Sequence, residues 1–344
     1  MRIGSGHLVR CSTLAAELVR RGAAVHLVGR GFGQLPAWLI DMFPGQMHEL
    51  PVSSGAHDSD LAHSSWLEAT QSEDAEQTLK LAGLIKPEWI VVDHYGIDAR
   101  WHRAVAGSTR SMMVIDDLAD RQLEVDLLLD PNRDESVARE AYGHCLNDAA
   151  RILGGPQWTL LRREFLLARD TVIGSPERNR IVILLGGLGS PSLAENIFQA
   201  FMKVQRPLVV DVIHGDPGTA GDIGKCAERC RLDVTVHTTP SRVSEIMSRA
   251  DLAVSTAGGT TWELACLGVP SVLLPVAGNQ SVVGEQAVQA GFAVQASLEN
   301  PEDIAHLTGS LLGDSSRLTE MSEAGRDFID GRGAERVVDT MLGS

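Results

Sequence analysis

Basic residues are scarce relative to acidic ones: 30 Lys and Arg stand against 45 Asp and Glu in 344 residues, a formal charge of −15. The shortfall is even. Residues 1–170 carry 17 basic and 24 acidic groups and the remainder 13 and 21, so neither half is a basic module for nucleic acid or anionic lipid. An anion site in such a chain must rest on local backbone amides rather than on net charge. Cysteines are few: Cys11, Cys145, Cys226, Cys230 and Cys266 are odd in number and contain no C-x-x-C pair. Cys226 and Cys230 lie one helical turn apart, but no histidine or second cysteine pair completes a zinc set. They read as free thiols of a reducing cytoplasm, the expected compartment, and no metal or cofactor is expected. No apolar run approaches the roughly 20 residues of a membrane-spanning helix. The opening Met1-Arg2-Ile3-Gly4-Ser5-Gly6-His7 has no hydrophobic leader core. G-x-x-x-x-G-K-[ST] and H-E-x-x-H are both missing, and Val9 stands where a dinucleotide fingerprint needs its third glycine. Kinase, zincin and NAD-enzyme readings thereby lose their motifs.

What is present is ordinary globular material, 44% hydrophobic and 22% charged, with length for roughly two domains at about 150 residues each. Short apolar runs alternate with helical stretches, the pattern of βαβ units and parallel sheets. The strand-like runs are Ala24–Val28, Trp89–Val92, Met112–Ile115, Leu127–Leu129, Ile181–Leu185, Leu208–Ile213, Val234–Val236, Leu252–Val254 and Ser271–Val276. Helical patterns lie between them, such as Leu8–Arg21 and Ala75–Ile85. The polar stretch Gly174-Ser-Pro-Glu-Arg-Asn-Arg180 precedes a second strand series. The expectation is an α/β chain of two Rossmann-like domains, residues 1–170 and 175–344, hinged near 165–180 with a cleft between them.

Glycine is in excess, 34 of 344 or about 10% against a usual ~7%, and its informative part is three loops at strand ends. Asp251-Leu-Ala-Val-Ser-Thr-Ala-Gly-Gly-Thr-Thr-Trp-Glu263 reads as a strand, a Gly258-Gly259 loop and a helix starting near Thr260. Adjacent glycines before a helix let backbone N–H groups approach an anion such as a diphosphate. Glu263 in the first turn suits two vicinal ribose hydroxyls, while Thr260-x-x-Glu263 is equally a capping box. Gly186-Gly187-Leu188-Gly189 repeats the arrangement, with Ser190 and Pro191 as N-cap and first helical residue. Gly4-Ser5-Gly6-His7 is the counterpart in the first half, and a histidine at a helix start suits general-base work. His94 reads as a strand-end packing residue.

Taken in order, several segments resemble one family. These are Ile3-Gly-Ser-Gly-His7-Leu-Val-Arg10-Cys11, Val92-Asp-His-Tyr95-Gly-Ile-Asp98, Ile115-Asp-Asp-Leu-Ala-Asp-Arg121 and Leu160-Leu-Arg-Arg-Glu-Phe165. In the second half they are Ala257-Gly-Gly-Thr-Thr-Trp-Glu263 through Pro270, Asn279-Gln280, and Asp330-Gly-Arg-Gly-Ala-Glu-Arg336. The set is similar to the UDP-sugar hydrolases of bacterial pseudaminic acid biosynthesis (PseG) and their spore-coat relatives, themselves related to the GT-B lipid II GlcNAc transferase. The resemblance implies a fold of GT-B type. It also implies inverting, metal-independent cleavage of a UDP-linked 2,4-diacetamido-2,4,6-trideoxy-hexose at its anomeric carbon.

Carried over by position, the resemblance makes His7 the general base and Tyr95 and Asn279 the residues orienting sugar and water. Gly258, Gly259, Thr260 and Thr261 would hold the diphosphate, Glu263 the ribose, and backbone near Val243 the uracil. Gly4, Ser5, Gly6, Arg10, Gly186, Gly187 and Gln280 complete the implied substrate-binding set. Where family members carry Asp and Asn after the second-half glycine pair, Gly189 and Ser192 stand here. Relatives also carry a strand before the Gly-Ser-Gly-His loop, so an apolar strand of about five or six residues is expected upstream of Met1. The partner expected is a UDP-sugar, with no nucleic acid or membrane, and the chain is expected to be a monomer. The competing readings are a GT-B UDP-sugar glycosyltransferase, in which His7 deprotonates an acceptor hydroxyl, and a nucleotide-sugar-binding module without turnover.

Overall fold

The computed structural model describes residues 5–52, 60–171, 177–185, 190–238, 242–275, 280–298 and 300–343. The chain divides into two compact units, one of residues 1–160 with 332–344 and one of residues 161–331.

The first unit opens with α1 (Ser5–Arg20), β1 (His26–Gly29), α2 (Ala37–Met42) and β2 (Gln46–Glu49). It continues through α3 (Gln71–Ile85), β3 (Trp89–Val92), α4 (Ala99–Val105), β4 (Ser111–Ile115), β5 (Leu127–Asp130), α5 (Glu135–Tyr142) and β6 (Arg151–Gly154). Local chemistry sets several helix ends. The Thr70 hydroxyl accepts from Glu73 N to start α3, and Asp98 accepts from Arg100 N to start α4. Strands β3-β4-β5-β6 form a parallel sheet in that order, with Trp89 opposite Ser111, Met113 opposite Leu127 and Leu127 opposite Arg151. Strands β1 and β2 form a separate parallel pair. Among the described residues, β1 pairs only with β2 and β3 only with β4.

The four-stranded sheet is apolar on both faces, as a parallel sheet must be. Met112, Val114, Leu128 and Ile152 face Trp101, Val105 and Tyr142 on one side, while Met113, Ile115, Leu127, Leu129 and Leu153 line the other.

The second unit contains α6 (Arg163–Ala168), β7 (Arg180–Leu184), α7 (Pro191–Phe201), β8 (Val209–His214), α8 (Pro217–Cys230), β9 (Asp233–Thr238) and α9 (Val243–Met247). After these come β10 (Leu252–Thr256), α10 (Thr260–Leu267), β11 (Ser271–Leu274), α11 (Gln280–Gln289), β12 (Ala293–Gln295), α12 (Pro301–Gly313) and α13 (Ser315–Phe328). Its six parallel strands run β12-β11-β10-β7-β8-β9, so the order reverses at the first strand, β7. Alternation along β7 is strict: Ile181, Ile183 and Leu185 belong to one core and Val182 and Leu184 to the other. Ser190 caps α7, accepting from Leu193 N, with Pro191 in its first turn.

The last helix, α14 (Gly333–Leu342), returns to the first unit. Its apolar stripe of Ala334, Val337, Val338 and Met341 buries against Met113, Ile115, Leu129 and Leu153. The expected domains 1–170 and 175–344 are corrected accordingly. The division falls at Leu160/Leu161, and the final helix belongs to the other unit because that is where its hydrophobic face is covered. All nine expected strand runs correspond to strands, although Val276 lies outside the described residues. Sequence reading missed β2, β6 and β12, which are short and carry polar or small residues: Gln-Met-His-Glu, Arg-Ile-Leu-Gly and Ala-Val-Gln. No helix among the described residues is long and apolar enough to cross a membrane.

Candidate functional site

In the first unit the polar side chains gather at the carboxyl ends of β3, β4 and β5 and at the start of α1. His7 lies in the first turn of α1, where its Nδ1 is 2.7 Å from Asp93 Oδ1, the residue that follows β3. Arg10, one turn further on, donates through Nε to Asp93 Oδ2 at 2.7 Å and through Nη2 to Oδ1. The Asp93 side chain is only 3% exposed. Burial by itself would raise its pKa, but the Arg10 guanidinium and then His7 outweigh that and hold it well below the usual carboxylate range. Asp93 is therefore an ionised acceptor, so His7 Nδ1 carries the proton between them and Nε2 is left as the basic nitrogen. Burial, reinforced by the Asp93 charge, pushes the Cys11 thiol up, and it donates to Asp93 Oδ2 at 3.4 Å.

Tyr95 stands beside this group, its ring 4.9 Å from that of His7 in an edge-on arrangement. Burial lifts its phenol above the ordinary value, and the hydroxyl donates to Asp117 Oδ1 at 2.6 Å. The other Asp117 oxygen accepts from Asn132 Nδ2 at 3.0 Å, and Arg133 donates to the Asp117 carbonyl at 2.9 Å and to Asp130 Oδ2 at 2.7 Å. Asp130 is fully buried, and burial raises its pKa to about 6 against the pull of Arg133. His94 accepts from Gly96 N at 3.0 Å and bonds the Trp66 backbone; burial draws it down to about 4, so it is a neutral strut within the loop.

In the second unit the Gly258-Gly259 loop follows β10, beside β7, where the strand order reverses. That switch point is the ligand-binding position of open α/β sheets. Apart from its chain neighbours, a Cβ at Gly258 or Gly259 would meet no atom of the described residues within 4 Å. Helix α10 starts at Thr260 with Gly259 as N-cap and no side-chain cap bond; the Thr260–Glu263 capping box is not formed. Thr261 is fully buried, and its Oγ1 has no partner among the described residues. Glu263 meets Arg162 Nη2 at 3.4 Å, and burial raises its pKa despite that guanidinium. Arg162 also holds Glu164 at 2.6 Å, whose other oxygen accepts from Ser244 Oγ at 3.0 Å. The chain Glu263–Arg162–Glu164–Ser244 thus links the start of α10 to Val243, the first residue of α9.

The structure brings His7, Arg10 and Tyr95 together in one unit, and Gly258, Gly259, Thr260, Thr261 and Glu263 together in the other. Ser5 opens α1 and Gly6 follows it; Gln280 opens α11. Gly4, Gly186, Gly187 and Asn279 lie outside the described residues. Asp93, Asp117, Asn132 and Arg162 were not anticipated as site residues. Asp93 and Asp117 were legible as acids at strand ends, whereas Asn132 and Arg162 are joined to the site by contacts no sequence spacing reveals. Among the described residues, no group of three His, Cys, Asp or Glu side chains could hold a metal ion.

The fold is a two-domain α/β fold of GT-B type with parallel sheets. The MurG structure from Acinetobacter baumannii superimposes with a TM-score of 0.67 over 98% of this chain and 96% of that one, at 16% identity. Among sequence relatives, the UDP-N-acetylglucosamine–N-acetylmuramyl-(pentapeptide) pyrophosphoryl-undecaprenol N-acetylglucosamine transferase of Salinibacter ruber is 30% identical over 56% of this chain and 54% of its own. The spore coat polysaccharide biosynthesis protein SpsG of Bacillus subtilis is 21% identical over 54% of this chain and 57% of its own. The chain therefore spans about half the length of the curated relatives it matches. No family model matches it.

Proposed function

We propose that this chain is a UDP-sugar-processing enzyme that transfers a glycosyl group from the nucleotide to a hydroxyl. The observation that carries the reading is the His7–Asp93 pair at 2.7 Å, locked by Arg10 at the carboxyl end of a parallel sheet. A carboxylate that fixes the proton on Nδ1 leaves Nε2 to take one from a nucleophile. In the step proposed, the nucleophile's O–H proton passes to His7 Nε2 as its oxygen bonds to the anomeric carbon. The bond from that carbon to the diphosphate breaks, UDP leaves with the electron pair, and the configuration inverts. The leaving charge needs stabilising more than it needs a proton donor, and the Gly258–Thr261 helix start offers backbone N–H groups for that task. Glu263 is assigned to the ribose hydroxyls, backbone near Val243 to the uracil, and Tyr95 and Asn279 to orientation of the reacting groups.

A glycosyl acceptor supplies the hydroxyl in the favoured reading, which the likeness to the lipid-linked N-acetylglucosamine transferase supports. Water takes that place in the second reading, hydrolysis of a UDP-linked diacetamido-trideoxy-hexose. It is favoured by the ordered motifs from His7 to Arg336, which resemble those of UDP-sugar hydrolases. The test is UDP release from UDP-sugars with and without saccharide acceptors, with His7→Ala as control. Release that needs an acceptor and is lost in His7→Ala supports transfer; equal release without acceptor shifts the assignment to hydrolysis. Release unaffected by His7→Ala refutes the base.

A further inference from the structure

Two aromatic side chains with no role so far stand beside Tyr95, the neighbour of the candidate base. His63 and Trp66 belong to a short 3-10 turn, Ser64–Trp66 with His63 as its cap. Their ring centroids are 4.5 Å apart, and the Tyr95 ring lies 5.7 Å from His63 and 6.1 Å from Trp66. Tyr95 in turn is 4.9 Å from His7, so Trp66, His63 and Tyr95 form a triangular cluster whose Tyr95 corner meets the base. All three remain partly exposed, unlike Trp101 and Tyr142, which are sealed in the core of the same unit.

The cluster is held from behind. Ser64 and Leu67 are buried, and the Ser64 hydroxyl donates to the Leu61 carbonyl at 2.9 Å. His94 bonds the Trp66 backbone, and a Cβ at Gly96 would sit 2.7 Å from the His63 carbonyl, so the turn rests directly on the loop that carries Asp93 and Tyr95. The Arg121 guanidinium lies 5.7 Å from the Tyr95 ring centre and is tied to Asp116 and the Ile97 carbonyl.

A partly exposed aromatic cluster beside polar groups is a surface on which a pyranose packs. One face of the sugar presents C–H groups to the rings, and its hydroxyls reach the polar rim, here Tyr95 OH and the Asp117–Asn132 pair. We propose that the Trp66–His63–Tyr95 cluster is a pyranose-binding subsite that seats a sugar ring against His7. The inference rests on the glycosyl-transfer reading above. The ring bound is either the glycosyl unit of the nucleotide or the saccharide that carries the nucleophile, and the two are separated by experiment.

The probes are UDP, UDP-N-acetylglucosamine and free N-acetylglucosamine, applied to the full chain and to Trp66→Ala, Trp66→Phe and His63→Ala. Calorimetric titration is expected to show that Trp66→Ala weakens UDP-N-acetylglucosamine about three- to tenfold and leaves UDP unchanged if the donor sugar occupies the cluster. If the other saccharide does, saturation-transfer NMR with N-acetylglucosamine gives a signal that Trp66→Ala abolishes while both nucleotide affinities hold. In either arm Trp66→Phe, which keeps a ring, restores most of the effect. Failure of UDP to bind the wild type would remove the nucleotide reading, yet a Trp66-dependent monosaccharide signal would still support the subsite. The subsite is overturned if folded Trp66→Ala and His63→Ala match the wild type with all three probes, or if the wild type neither discriminates UDP-N-acetylglucosamine from UDP nor gives a monosaccharide signal.

Discussion

Asp93→Asn is the sharpest perturbation of the candidate base, because it removes a charge while changing almost no volume. In the wild type the carboxylate accepts from His7 Nδ1 at 2.7 Å and from two nitrogens of Arg10. An amide has one oxygen and one NH2 in the same place. Arg10 donates to both positions, so either way the amide turns it sets an NH2 against a guanidinium N–H and removes the negative charge that holds the proton on His7 Nδ1. Nδ1 is then no longer fixed as the donor, and a ring proton on Nε2 blocks the nitrogen that would take the nucleophile's proton. General-base catalysis contributes about 10²–10⁴ in rate, or roughly 3–5 kcal/mol of barrier, and that is the loss expected in kcat. The KM for the UDP-sugar should stay within about threefold, since the groups assigned to the nucleotide lie on α10. Steady-state UDP release measures both constants, and a thermal melt checks that the variant folds. A folded Asp93→Asn enzyme with kcat within about threefold of wild type would refute the tautomer argument, and so would a loss confined to KM.

Two further outcomes follow from burial. Asp130 has a folded pKa raised to about 6 against roughly 3.9 in the unfolded chain, so its contribution is complete below pH 4 and is lost as pH rises through 6. The unfolding free energy of wild type relative to Asp130→Asn should therefore fall by ~2 kcal/mol between pH 4 and pH 7 in urea titrations; a flat difference would mean an ordinary carboxyl. Gly333 opens α14 where a Cβ would lie 2.2 Å from the Thr159 carbonyl oxygen and 2.8 Å from its nitrogen, both backbone atoms that cannot swing away. Gly333→Ala should lower stability by about 1–3 kcal/mol and speed hydrogen exchange in α14; unchanged exchange there would contradict the docking of this helix on the first unit.

The sequence by itself determined the fold class. Alternating apolar runs and helical patterns leave few arrangements other than parallel sheets covered on both sides, and strands such as Trp89–Val92 and Leu252–Thr256 are apolar enough to be unambiguous. It also picked out part of the candidate site, since His7, Tyr95 and Gly258-Gly259 sit at strand ends or helix starts, positions that local pattern marks. Three matters waited for the tertiary structure. Short strands such as Ala293–Gln295 owe their existence to a neighbour's hydrogen bonds, not to their own composition. The membership of α14 depends on which core covers Val337, Val338 and Met341, and chain order carries no information about that. The partnership of His7 with Asp93, 86 residues away, and the seating of His63 and Trp66 beside Tyr95 arise because separate βα units deliver their loops to one edge of a sheet. Periodicity reports what a residue does within its own element, whereas a charge pair or an aromatic cluster belongs to two or more elements at once. Only their packing decides it.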